Sequence, residues 1–129
     1  MAYLNPLVLD NGLSVLTGTG RRLDICRSEP ASFTEATVTF SLGNKTALTL
    51  PSPSILVTPT GRQVVVPAIT DGAVTTTSTG TADDAEFWAI TDPANSRLLA
   101  AGPLNAPELV TAGDGFTLNS FGIGLPLPL

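Results

Sequence analysis

The amino-acid sequence predicts an all-β protein: a single antiparallel β-sandwich, jelly-roll or immunoglobulin-like, of about seven to nine short strands with extended N- and C-terminal arms. Three observations lead there. Apolar and polar residues alternate with period two in short runs, most clearly in Ala36-Thr37-Val38-Thr39-Phe40-Ser41-Leu42. Turn signals break the chain roughly every 8–12 residues. They come from 12 Gly and 11 Pro, while 18 Thr enrich the β-favouring set. Finally, no long window places apolar residues at the helical period.

Each element follows in order. Leu4 to Leu9 is apolar around Pro6, and residues 1–12 are expected to form an arm. Thr17-Gly18-Thr19-Gly20 reads as a turn. Arg21 to Arg27 is expected as a strand with Leu23 and Ile25 inward, Arg22 and Asp24 outward, and Cys26 opposite Leu23 and Ile25. Glu35 to Gly43 is expected as a half-buried strand with Ala36, Val38, Phe40 and Leu42 on one face. Lys45 to Leu50 is a weaker run, closed by Pro51-Ser52-Pro53. Ser54 to Thr58 and Arg62 to Val66 flank Pro59-Thr60-Gly61 and predict a hairpin. Pro67 has no N–H to give a ladder and belongs at a strand end or edge.

Thr-rich Ala73 to Thr81 is expected as a strand. Ala85 to Thr91 is the strongest core strand. It is followed by the turn Asp92-Pro93-Ala94-Asn95-Ser96 and a returning strand, Arg97 to Ala101. A short Glu108–Val110 segment and the turn Thr111–Gly115 lead to Phe116–Phe121, with Phe116, Leu118 and Ser120 on one face. Gly122 to Leu129 is apolar, uncharged and spaced by Pro. It is expected as a polyproline-like arm presenting Leu125, Leu127 and Leu129, either against its own core, against another subunit or unordered. One domain over 1–129 results, with its core at 13–121 and arms at 1–12 and 122–129.

Composition narrows function. The chain has no His and one Cys, which removes the Ser-His-Asp triad, the Cys-His pair, an intramolecular disulfide and a thiolate zinc site. The net charge of −5 argues against a nucleic-acid-binding face. Charged residues make up 13% of the chain, against about 25% in an average domain. The mean hydropathy is +0.30. A surface so poor in charge is expected to be partly covered by partners. The start lacks the basic residues of a signal peptide, and no apolar run has membrane-spanning length. Synthesis in a cytoplasm is expected, and the lone Cys26 agrees with a reducing compartment.

Candidate chemistry is thin. Asp83, Asp84 and Glu86 form the one acidic cluster, without a second set of acids for glycoside hydrolysis or an EF-hand spacing for calcium. A solvated turn is the expectation. Thr17-Gly18-Thr19-Gly20 lacks the Lys of a phosphate loop. Ser14 and Ser28 have no His to activate them, and Lys45 is the sole lysine. Cys26 is expected to be an inert thiol in a strand. No catalytic, cofactor-binding or metal-binding residue is assigned. Phe87 and Trp88 must point to opposite faces, which leaves Trp88 to the core, to a subunit contact or to a sugar platform. The residues put forward as subunit contacts are Leu7, Trp88, Leu125, Leu127 and Leu129.

Several short motifs carry a family resemblance over about residues 13–121. They are the strand Arg22-Leu23-Asp24-Ile25-Cys26, the tripeptide Pro30-Ala31-Ser32 and the run Ala36-Thr37-Val38-Thr39-Phe40. Gly80-Thr81-Ala82 precedes the aromatic strand Phe87-Trp88-Ala89-Ile90-Thr91-Asp92. Leu109-Val110-Thr111-Ala112-Gly113-Asp114 precedes the last strand, Phe116 to Phe121. Together they resemble the small virion structural proteins of tailed bacteriophages. This chain departs by inserting Asp83-Asp84-Ala85-Glu86, by a longer Pro-rich middle and by its Leu-Pro end.

The resemblance implies a non-enzymatic protein without cofactors, most readily a capsid decoration or cement protein. Its partners would be copies of itself and other virion proteins, with no nucleic acid and no membrane. It would be a homo-oligomer located in the virion and made in the bacterial host cytoplasm. The alternatives are a neck, collar or tail-associated protein, or a carbohydrate-binding receptor-recognition sandwich.

Overall fold

The computed structural model describes residues 3–4, 12–57, 61–80 and 82–126. They form β1 (Tyr3–Leu4), α1 (Leu13–Thr19), β2 (Arg22–Cys26), β3 (Ser41–Lys45), β4 (Ser54–Leu56), β5 (Gly61–Val66), β6 (Ile69–Val74), β7 (Ala85–Asp92), β8 (Arg97–Glu108), β9 (Gly115–Leu118) and β10 (Phe121–Pro126). Every strand pairing is antiparallel. One sheet runs β1-β8-β7-β2-β3-β6-β9 and the other β10-β5-β4. The fold is therefore an all-β, sandwich-like arrangement, as the period-two runs and turn spacing predict.

The main core lies between the sheets. Leu23 and Ile25 of β2, Ile90 of β7, Leu99 and Ala100 of β8 and Val74 of β6 meet Val64 and Val66 of β5 and Ile123 of β10. Leu13 and Leu16 of α1 close one side. A second, smaller core lies on the other face of the large sheet: Cys26, Ala36, Ala89, Leu98 and Ala101, with Phe40 and Phe87 packed against it. Strands covered on both faces cannot show polar-out alternation, which is why Leu98 to Gly102 are buried without a break.

That second core corrects the expected exposure of the outer face of β2. Asp24, expected to face solvent, is 0% exposed. Alternation gives the face of a residue, not whether that face is covered. The cover is a π-helical turn, Glu35–Thr39, where the sequence predicts strand. Ser32 and Glu35 explain the difference. The Glu35 N–H donates to Ser32 Oγ at 3.1 Å, and Glu35 Oε1 accepts from the Ala31 N–H at 2.9 Å, much like a capping box. The Thr37 hydroxyl adds a bond to the Phe33 carbonyl at 2.8 Å, and the Phe40 N–H closes the turn on the Glu35 carbonyl at 2.9 Å. Ala36 and Phe40 still meet the core, because spacing of four satisfies a helix as well as a strand. Val38 is turned out, at 70% exposure.

Other segments also differ from expectation. Thr17 to Thr19 belong to α1, and the Gly20 N–H closes that helix on the Leu16 carbonyl at 2.9 Å. A Cβ on Gly20 would come within 2.7 Å of that carbonyl oxygen. After Lys45 the chain leaves β3. Ala47 takes a φ of 54°, and the Leu48 N–H bonds to the Arg21 carbonyl at 2.9 Å, so 46–50 is not a strand. The strand expected at 73–81 lies earlier, at Ile69–Val74. Beyond it, the Thr75 and Thr76 N–H groups share the Leu42 carbonyl at 2.8 and 3.1 Å, and the Ser78 N–H donates to the Val110 carbonyl at 2.9 Å. Thr propensity is overridden there by these anchors.

The β4–β5 hairpin stands in antiparallel register, Ser54↔Gln63 through Leu56↔Gly61. β7 and β8 pair across the turn at 93–96. The C-terminal segment is not a polyproline arm over its described part. Phe121 to Pro126 pairs with β5 from Phe121↔Val66 to Pro126↔Gly61. Pro126 falls at the strand's last position, where its missing N–H is tolerated.

Candidate functional site

A polar cluster forms on the covered face of β2. Asp24 receives two bonds from Arg22, Nε to Oδ1 at 2.7 Å and Nη2 to Oδ2 at 2.9 Å, and one from the Ser41 hydroxyl at 2.6 Å. Arg22 also reaches the Thr37 carbonyl of the π-helical turn at 3.4 Å. Burial pushes the Asp24 carboxyl above its usual range, against the opposing pull of the Arg22 and Ser41 hydrogen bonds and the Arg22 charge. Donating to Asp24 in turn raises the Arg22 pKa. Asp24 already accepts from Ser41, and no imidazole is present to act as a base. This cluster ties β2, β3 and the π-helical turn together.

Cys26 lies on the same face, fully buried, with its thiol 3.5 Å from the Ala36 carbonyl. Burial, then the Asp24 charge, pushes its pKa up to about 12. Its thiolate population near neutrality is therefore negligible.

The acidic cluster sits at the entry to β7. Asp83 accepts from the Thr79 N–H at 3.0 Å and its hydroxyl at 3.1 Å. Asp84 Oδ1 is buried without a hydrogen-bond partner among the described residues, and Glu86 is exposed. No three His, Cys, Asp or Glu side chains come together as metal ligands among the described residues.

A cleft of about 650 Å³ opens in the sandwich. Its walls come from the far half of β8, the segment after it, β9 and the start of β10. Trp88 lies in it. Trp88 faces Gly102 across the β7–β8 ladder. A Cβ on Gly102 would stand 2.7 Å from the indole, so only glycine lets the ring lie across β8. Phe121 packs on the same ring, with centroids 4.6 Å apart and planes at 42°. Both rings are half-buried. Ile25, Leu104, Leu109, Val110, Phe116 and Leu118 are among the other apolar side chains of the lining. Asn105, Glu108, Thr117, Asn119 and Ser120 form the polar edge.

Phe87 and Trp88 face opposite sides, toward the smaller and the main core respectively. Of the expected contact residues, Trp88 is half-buried in the cleft, and Leu125 is half-buried on β10 against the main core. They are not adjacent to one another in the ladder. Leu7, Leu127 and Leu129 lie outside the described residues.

Among the described residues, the most exposed large apolar side chains are instead Val57 at 77%, Val38 at 70%, Ile55 at 68% and Leu109 at 65%. Sequence reasoning missed all four, together with the amides of Asn105 and Asn119. Ile55 and Val57 carry a period-two signal, but nothing in it tells a covered face from an open one. No helix among the described residues is long and apolar enough to cross a membrane. Comparison with protein-family models, curated proteins and solved structures finds no match to this chain.

Proposed function

We propose that the chain is a non-enzymatic structural subunit that lies against copies of itself and against neighbouring shell proteins, as a capsid decoration or cement protein of a tailed-phage virion does. The observation that carries this reading is β4. It ends the smaller sheet, so its outer edge is unpaired among the described residues. It also brings Ile55, and just past its end Val57, into solvent at 68% and 77% exposure. A free edge with apolar side chains is a template for pairing with another chain. Complete burial of two such side chains contributes roughly 1.5–3 kcal/mol each before ordering costs. Many weak contacts on one lattice then reinforce each other through effective concentration.

The sparse charge, the absence of histidine and the resemblance to virion proteins support the same reading. Mass spectrometry of purified particles tests it: the chain is expected among their proteins at a fixed copy ratio. Its absence from the particles overturns the virion assignment.

A further inference from the structure

We infer that the cleft beside Trp88 is a binding site for a neutral saccharide. Its volume of about 650 Å³ falls in the range of small-molecule sites. The lining combines two surfaces. The half-buried rings of Trp88 and Phe121, held 4.6 Å apart, offer an apolar aromatic floor with Phe116 beside it. Asn105, Asn119 and Ser120 stand at the edge, exposed. Their side chains make no hydrogen bond within the chain among the described residues, so each amide brings two free donors and one free acceptor.

Charge selects the ligand class. No Lys or Arg lines the cleft, so a phosphate, sulfate or carboxylate ligand has no counter-charge there. A purely apolar ligand would strip water from the amides and replace none of their bonds. A neutral pyranose meets both requirements. One face of its ring carries C–H groups that pack on an aromatic surface, and its hydroxyls both donate and accept. The site lies on β8, β9 and β10 and does not involve β4, so it is independent of the assembly reading above.

Trp88 is the sole tryptophan, so intrinsic fluorescence reads this cleft directly. The full chain is titrated with glucose, galactose, mannose, N-acetylglucosamine and their β-linked disaccharides, and ¹⁵N chemical shifts are followed in parallel. At least one saccharide is expected to give a saturable change in Trp88 emission, with shifts centred on residues 103–106 and 117–121. The Asn105→Ala/Asn119→Ala double variant changes only exposed side chains. It is expected to keep the wild-type melting temperature and to weaken binding about tenfold or more, as two lost hydrogen bonds imply. The proposal is overturned if no saccharide gives a saturable change, if the double variant binds as tightly as wild type, or if a proline-rich peptide saturates the cleft where the sugars do not.

Discussion

At the residue scale, Asp24 carries the clearest consequence. Its folded pKa stands above the unfolded value because burial outweighs the Arg22 and Ser41 hydrogen bonds. The folded state therefore holds this proton more tightly. The resulting stability is fully present below the unfolded carboxylate pKa and is lost as pH rises through the folded value. Arg22→Met removes the cation and leaves a buried carboxylate facing only Ser41. It is expected to destabilise by about 3–5 kcal/mol at pH 7, and the deficit is expected to shrink as pH falls into the carboxylate range and Asp24 becomes neutral. Urea unfolding of both proteins at pH 7 and pH 4 checks this; an equal deficit at both would remove Asp24 from the explanation. Cys26 beside it supplies a second expectation. With its pKa pushed up to about 12 and its side chain buried, the thiol should resist Ellman's reagent at pH 8 in the native protein and react fully in denaturant. The sequence names both residues and their face correctly. It puts Asp24 in solvent, because the lid over that face is a π-helical turn some ten residues further along that reads as strand.

At the scale of single elements, two glycines decide how strands approach. A Cβ on Gly43 would meet the Ala73 carbonyl oxygen at 2.5 Å and Val74 Cα at 2.9 Å, both backbone atoms of the paired β6. One on Gly102 would meet only the Trp88 ring, at 2.7 Å. Backbone in a ladder cannot turn aside, whereas an indole at the edge of a cleft has room to move. Both alanine substitutions are expected to destabilise in the range of about 1–3 kcal/mol, with Gly43→Ala the larger and only Gly102→Ala displacing the Trp88 emission maximum. Thermal unfolding followed by fluorescence separates the two. Legibility at this scale follows the same physics. The β4–β5 hairpin and the β7–β8 pair were readable because Pro, Gly, Asp and Asn mark their turns locally. Helix α1 was not, since Leu13 and Leu16 provide a single apolar step and a short helix barely shows its period. The Glu35–Thr39 turn was misread because Ala36 and Phe40 suit either period, and the deciding residues, Ser32 and Glu35, lie outside the apolar pattern. Ser32→Ala is accordingly expected to cost about 1 kcal/mol through loss of the bond to the Glu35 N–H.

At the scale of the whole molecule, charge and apolar exposure together set how copies meet. A net charge of −5 on 129 residues makes identical copies repel weakly at long range. Ile55 and Val57, beside a strand edge that no other described strand pairs, supply a short-range attraction that salt does not screen. These two terms respond in opposite ways to ionic strength. Added salt screens the repulsion within a Debye length of about 8 Å at physiological strength and leaves the apolar contact intact. Self-association through β4 should therefore strengthen as salt rises. An interface built on ion pairs would do the reverse. Light scattering coupled to size exclusion, run across a salt series, distinguishes them. The Ile55→Lys/Val57→Lys double variant should stay monomeric at every salt concentration while keeping its melting temperature, because both side chains are already in solvent in the isolated fold. Association that weakens with salt, or that survives both lysines, would place the contact elsewhere, with Val38 and Leu109 as the next apolar positions to substitute.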